Sequence, residues 1–211
     1  MPIVHKQYHS TFCQVFLRQT SCYNYFYKFS SPAGQMISAE IETRTWQKIA
    51  QMNQKQAEQF GLGAIQQQPN LVAYILAANQ QLFNQTEGEI IYYVAMSIWQ
   101  MLLQGEQKPG RVQRAHLEQA EQTNLEMVQQ LQAQTAEQTE SWIEKIAAGY
   151  PEPNILIYIL ESVTEESDDA STDIRPELRS VAVFYLKTVL DALLLTLRSE
   201  EHTSELQSPN T

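Results

Sequence analysis

Along residues 36–197 apolar positions recur at the three- and four-residue spacing of helices, and no stretch alternates apolar and polar residues between turn signals as a half-buried strand does. The first segment, Ser38 to about Phe60, puts Ile41, Thr45, Ile49, Met52 and Phe60 on a face and is expected to stop at Gly61-Leu62-Gly63. Pro69-Asn70 then opens a helix carrying Leu71, Ile75, Ala78 and Leu82, reaching about Phe83. Thr86-Glu87-Gly88-Glu89 has the S/T-x-x-E form of a capping box ahead of Ile90 to Leu103. That run is apolar nearly all round and shorter than the roughly 20 residues needed to cross a bilayer, so a buried central helix is expected.

Pro109-Gly110 divides the chain, and a Gln/Glu-rich helix follows from about Arg111 to Gln134 with Leu117, Leu125, Val128 and Leu131. A shorter helix is expected around Ser141 to Ala148, bearing Trp142, Ile143 and Ile146. Pro151-Glu152-Pro153-Asn154 ends it and launches Ile155 to Val163. The acidic stretch Glu165 to Asp173 reads as a solvated loop, and the last helix runs from about Arg175 to Leu197. Lys187 and Asp191 are i, i+4 neighbours there and give it one polar stripe, which disfavours a membrane span.

The pattern repeats. Pro69-Asn70-Leu71-Val72-Ala73-Tyr74-Ile75-Leu76 aligns with Pro153-Asn154-Ile155-Leu156-Ile157-Tyr158-Ile159-Leu160, 84 residues on. Trp46 to Gln59 aligns with Leu125 to Gln138 at an offset of 79, and Ile91-Tyr92-Tyr93-Val94 with Val183-Phe184-Tyr185-Leu186 at 92. The offsets grow where loops belong, which predicts two tandem three-helix pseudo-repeats over about 38–105 and 111–197. Two copies are too few for a solenoid, so the expected fold is an all-α bundle of about six main helices.

Composition changes the picture at the ends. Residues 1–35 hold Lys6, Arg18 and Lys28, no carboxylate, both cysteines (Cys13 and Cys22) and the aromatic run Tyr23 to Phe29. They are expected to be a non-native or disordered extension ahead of a start at Met36, with polar breaks that exclude a secretory signal. Arg198-Ser199-Glu200-Glu201-His202-Thr203-Ser204-Glu205-Leu206-Gln207-Ser208 resembles the in-frame translation of a short-read sequencing adapter, which implies that 198–211 is an artefactual tail. Between them, residues 36–197 form one domain with 10 basic and 21 acidic residues.

The whole chain carries a formal charge of −10, which opposes phosphate-neutralising nucleic-acid binding and docking on anionic lipid. Two cysteines without a CxxC pair exclude a disulfide framework and a structural zinc site, and fit a reducing, cytoplasmic, bacterial-type setting. Glutamine makes up 22 of the residues from Gln47 to Gln138, but regularly spaced apolar positions accompany it, so the segment reads as helical surface. His116, the one histidine of 36–197, sits on a polar helix and reads as solvated. Gln113 stands where a Glu-x-x-His carboxylate-metal motif needs glutamate, and Glu118, Glu121 and Glu126 do not restore it. Gly61-Leu62-Gly63 is too short for a phosphate loop, and Glu165 to Asp173 lacks calcium-loop spacing.

Tyr74, Tyr92, Tyr93, Trp99, Tyr158, Phe184 and Tyr185 lie in the most apolar helices and read as core. No catalytic, cofactor-binding or metal-binding residue is assigned, and no cofactor. The expectation is a non-enzymatic acidic helical protein acting through a protein partner or as a homo-oligomer, without nucleic acid or membrane. A helical enzyme or a bundle binding a small apolar ligand between the aromatic helices is the alternative.

Overall fold

The computed structural model describes residues 37–132, 149–164 and 174–205, with side chains through residue 130 in the first stretch and residue 197 in the last. These form an all-α bundle: α1 Ala39–Ala50, α2 Gln54–Gln67, α3 Pro69–Leu82, α4 Gln85–Leu102, α5 Arg114–Gln132, α6 Pro153–Thr164 and, after a 3-10 turn at Pro176–Leu178, α7 Arg179–Glu205. Residues 1–36, the expected helix at Ser141–Ala148, the acidic stretch Glu165–Asp173 and Leu206–Thr211 lie outside the described residues.

Local hydrogen bonding sets the boundaries and moves several of them from where periodicity puts them. Ser38 accepts the Ile41 amide at 3.3 Å to start α1, whose first turn carries Glu40 and Glu42 and whose last carries Lys48, both favourable to the helix dipole. The expected helix from Ser38 to Phe60 is in fact two. Asn53 accepts the Gln56 amide at 3.0 Å while Gln56 accepts the Asn53 amide at 3.0 Å, and this reciprocal box ends one helix and begins the next.

Gly61 and Gly63 therefore lie inside α2 and do not terminate a helix. A Cβ on Gly61 would meet the Tyr92 hydroxyl at 3.8 Å, an ordinary van der Waals contact, so the packing there does not require a glycine. The box ahead of α4 is also displaced by two residues. Asn84, not Thr86, is the cap, accepting from Glu87 N at 3.0 Å while Glu87 accepts from Asn84 N at 2.9 Å. The backbone of α7 continues beyond Leu197 to Glu205.

The long helices α4 and α7 pack against each other at the centre, each burying its apolar surface on the other. Ile91, Met96, Ile98, Met101 and Leu102 from α4 meet Leu186, Leu190 and Leu193 from α7, all with 1% exposure or less. Each such side chain contributes about 1.5–3 kcal/mol by leaving water. Helices α3 and α1 flank α4, α5 and α6 flank α7, and α2 packs chiefly on α3. The segment Pro176–Leu197 is long and apolar enough to cross a membrane, yet 67% of its most apolar 18-residue window is buried inside the bundle.

Candidate functional site

The Pro-Asn helices reach across the bundle. Gln68, the residue before Pro69, is 3% exposed, accepts the Val112 amide at 2.9 Å and donates to the Gly110 carbonyl at 2.9 Å. Asn70 donates to the Val112 carbonyl at 3.0 Å. Glu152, the residue before Pro153, accepts the Ile37 amide at 3.2 Å, and Asn154 donates to the Ile37 carbonyl at 3.0 Å. Each Pro-Asn start thus grips both backbone polar groups of a fully buried residue, Val112 ahead of α5 and Ile37 ahead of α1.

The same two helices each carry a tyrosine. Tyr74 on α3 stacks at 5.6 Å, tilted by 51°, against Tyr185 on α7. Burial raises the Tyr74 phenol, the Glu121 carboxylate and Tyr185 raise it further, and the Thr188 hydroxyl opposes them. On α6, the Tyr158 phenol is pushed up to about 12 by burial, opposed by Ser97 and Ser162 and assisted by Tyr93 and Glu42. The hydroxyls of Tyr74 and Tyr158 are both buried without a partner in hydrogen-bonding geometry among the described residues. Glu42 is itself raised to about 7, first by burial and then by the Glu161 carboxylate.

A polar pin fastens α5 to α7. The buried Asn124 amide donates to Asp191 at 2.9 Å and to Thr188 at 3.2 Å, and accepts from the Lys187 ammonium at 2.7 Å. Lys187 also pairs with Asp191 at 2.7 Å and lies 5.2 Å from the Tyr150 ring centre, whose hydroxyl donates to the other Asp191 oxygen. The polar stripe expected on the last helix therefore faces inward, and its chemistry is that of a closed network in low dielectric. A second buried carboxylate, Glu87, accepts from Arg175 Nε at 2.7 Å and Nη2 at 3.0 Å, anchoring the entry to α7 on the start of α4.

The outer surface carries the remaining feature. From Gln59 to Thr86 no residue is charged, so α3 carries no charge and the charges of α2 are confined to Lys55 and Glu58 near its start. Leu62 is 61% exposed, Ile65 49% and Leu76 45%. Beside Leu76 an open groove of about 520 Å³ runs along the α3–α4 hairpin, walled by Asn79, Phe83, Gly88 and Tyr92 and by one charged residue, Glu89. Asn79 closes the hairpin by donating to the Gly88 carbonyl at 2.8 Å.

The residues weighed from sequence are distributed as follows. His116 is half-buried at the start of α5, where its Nδ1 accepts the Gln113 amide at 3.2 Å. Glu118 pairs with Arg114 at 2.7 Å and Glu126 accepts from Gln122 at 2.8 Å, both on the surface; Glu121 faces Tyr74 and Tyr185. Among the described residues no group of three His, Cys, Asp or Glu could hold a metal ion. Sequence reasoning missed Asn124 and Tyr150, which have no motif, and Gln68 and Glu152, whose signal was their shared place before Pro-Asn. It also missed the outer face, which the uncharged run from Gln59 to Thr86 could have revealed. No protein-family model, no curated protein and no solved structure matches the chain.

Proposed function

We propose that this protein acts through contact with protein, by binding a partner or by self-association, rather than by turning over a substrate. The observation that carries this reading is the uncharged outer face of α2 and α3, where Leu62, Ile65 and Leu76 stand in water on a chain whose net charge is −10. Single exposed leucines are ordinary, but three on two adjoining helices within one charge-free run have the composition of an interface centre, from which charged residues are depleted. The acidic balance argues for a protein partner over nucleic acid or anionic lipid, and the scarcity of cysteine suits a cytoplasmic setting. Native mass spectrometry of the full chain tests the reading. A homo-oligomer or a protein complex without added small mass supports it, and a monomer retaining a reproducible small molecule overturns it in favour of a ligand-binding bundle.

The scaffold that presents this face is, on the same reading, an internally duplicated pair of units that exchange their Pro-Asn helices. Its support is residue-level. Gln68 and Asn70 hold Val112 as Glu152 and Asn154 hold Ile37. Tyr74, Tyr185 and Glu121 gather as Tyr158, Tyr93 and Glu42 do, at the sequence offsets 84, 92 and 79. In the leading unit the chain is capped anew at Asn53, and the helix that begins there, α2, carries the outer face.

A further inference from the structure

The occupant of the uncharged face follows from its chemistry, given the interaction reading above, on which this inference rests. We infer that the α2–α3 face binds the same face of a second copy of this chain, in a two-fold symmetric dimer. Charge is the first argument. Two copies that each carry −10 repel at every approach that brings their charged helices together. Helices α1, α4, α5, α6 and α7 all bear charged residues; α3 bears none, and α2 none after Glu58. Among the described helices this is the surface over which like copies meet at least cost.

Self-complementarity is the second argument. In a two-fold interface the residues near the axis face their own kind. A lysine or glutamate there would oppose an identical charge, whereas a glutamine offers an acceptor oxygen and two donor hydrogens and so pairs with another glutamine. The exposed polar residues of this face include Gln59, Gln66, Gln67, Gln80 and Gln81, bordering Leu62, Ile65 and Leu76. Leu62 and Ile65 are three apart on α2 and share one stripe, the spacing with which a helix fills a groove. The open groove beside Leu76, at about 520 Å³, has room for such side chains from the second copy, and its one charged wall residue, Glu89, accepts from Gln85 at 3.0 Å.

Sedimentation velocity of the full chain from 1 to 200 µM, in low and high sodium chloride, tests the inference. The expected result is a reversible dimer of twice 24.2 kDa that tightens as salt rises, because salt screens the repulsion and the interface holds no ion pair to weaken. Leu62→Glu and Ile65→Glu, both at exposed positions, are expected to weaken it at least tenfold with an unchanged helical circular dichroism spectrum, while Gln122→Glu on the exposed face of α5 leaves it intact. A dimer untouched by both α2 variants, or one that loosens with salt, overturns the inference. So does a monomer throughout the range. If that monomer still binds a different protein in a manner that Leu62→Glu abolishes, self-pairing falls and the interaction reading stands; if no variant affects any association, both fall.

Discussion

Replacing Gln68 by alanine removes one side chain that satisfies two backbone groups in different places. Gln68 is 3% exposed, and its amide accepts from the buried Val112 N–H at 2.9 Å and donates to the Gly110 carbonyl at 2.9 Å. Stranding the Val112 donor away from water costs about 1–3 kcal/mol. The lost bond to Gly110 adds about 1 kcal/mol, since that residue is half-buried and water can replace part of it. The small void adds about another 1 kcal/mol, giving about 4 kcal/mol in all.

For a chain of this length that corresponds to a fall of about 8–16 °C in Tm. Urea unfolding followed by circular dichroism measures the difference, with Gln85→Ala as the control. Gln85 is exposed and donates only to Glu89 at 3.0 Å, so its loss should stay within about 0.5 kcal/mol. Asn70→Ala should cost about 1 kcal/mol, and the double variant should cost less than the sum by at least about 0.5 kcal/mol, since both side chains hold Val112. A Gln68→Ala protein as stable as Gln85→Ala, or strict additivity with Asn70→Ala, would refute the idea that these residues act together as a clamp.

Three further outcomes are expected. Glu42, raised to about 7 by burial and by Glu161, binds its proton more tightly in the folded chain than in the unfolded one, so its contribution is complete below about pH 4.5 and is lost as pH rises toward 7. Glu42→Gln should therefore raise Tm at pH 8 and leave it nearly unchanged at pH 4.5, as thermal melts across that range would show. Asp191→Ala should cost about 3 kcal/mol by leaving the Lys187 ammonium, the Asn124 amide and the Tyr150 hydroxyl short of an acceptor, and Asp191→Asn should recover only part of it in chemical denaturation. His116→Ala should cost no more than about 1 kcal/mol, the worth of a helix-start hydrogen bond, and should leave the oligomeric state in sedimentation unchanged.

The helices were legible wherever one face of a segment had to be buried. Pro69 and Pro153 stand at the first positions of α3 and α6 because a ring without an N–H is harmless there, and the apolar run after Glu89 is the buried α4. What periodicity could not see was competition between local signals. Asn53 with Gln56 makes a reciprocal cap in the middle of a stretch whose apolar spacing continues unbroken, and the cap wins because it satisfies two amides at once. At Gly88 a Cβ would stand 3.2 Å from the Asn79 side chain, tighter than an ordinary contact, and such a reason is absent from linear sequence.

The candidate surfaces divide along the same line. Lys187 and Asp191 were legible as a pair, but not the direction in which they point, because Asn124 and Tyr150 are remote in sequence. The offset between the Pro-Asn motifs could be read from the chain before any contact was known, while the hydrogen bonds from Asn70 to Val112 and from Asn154 to Ile37 could not.

The grip of Asn154 on Ile37 spans 117 residues. At a synthesis rate of about 5–20 residues per second, the residue that leads into α1 waits roughly 6–23 s on the ribosome before its partner has been made. The strongly apolar α4 is complete from Leu102 onward, for a little under half of that interval, while α7, the helix it packs on, is still to come. A nascent chain of this protein therefore passes through a stage in which α4 has no finished bundle to enter, and its yield in the cell should depend on chaperones that hold apolar helices in trust until the last third is translated.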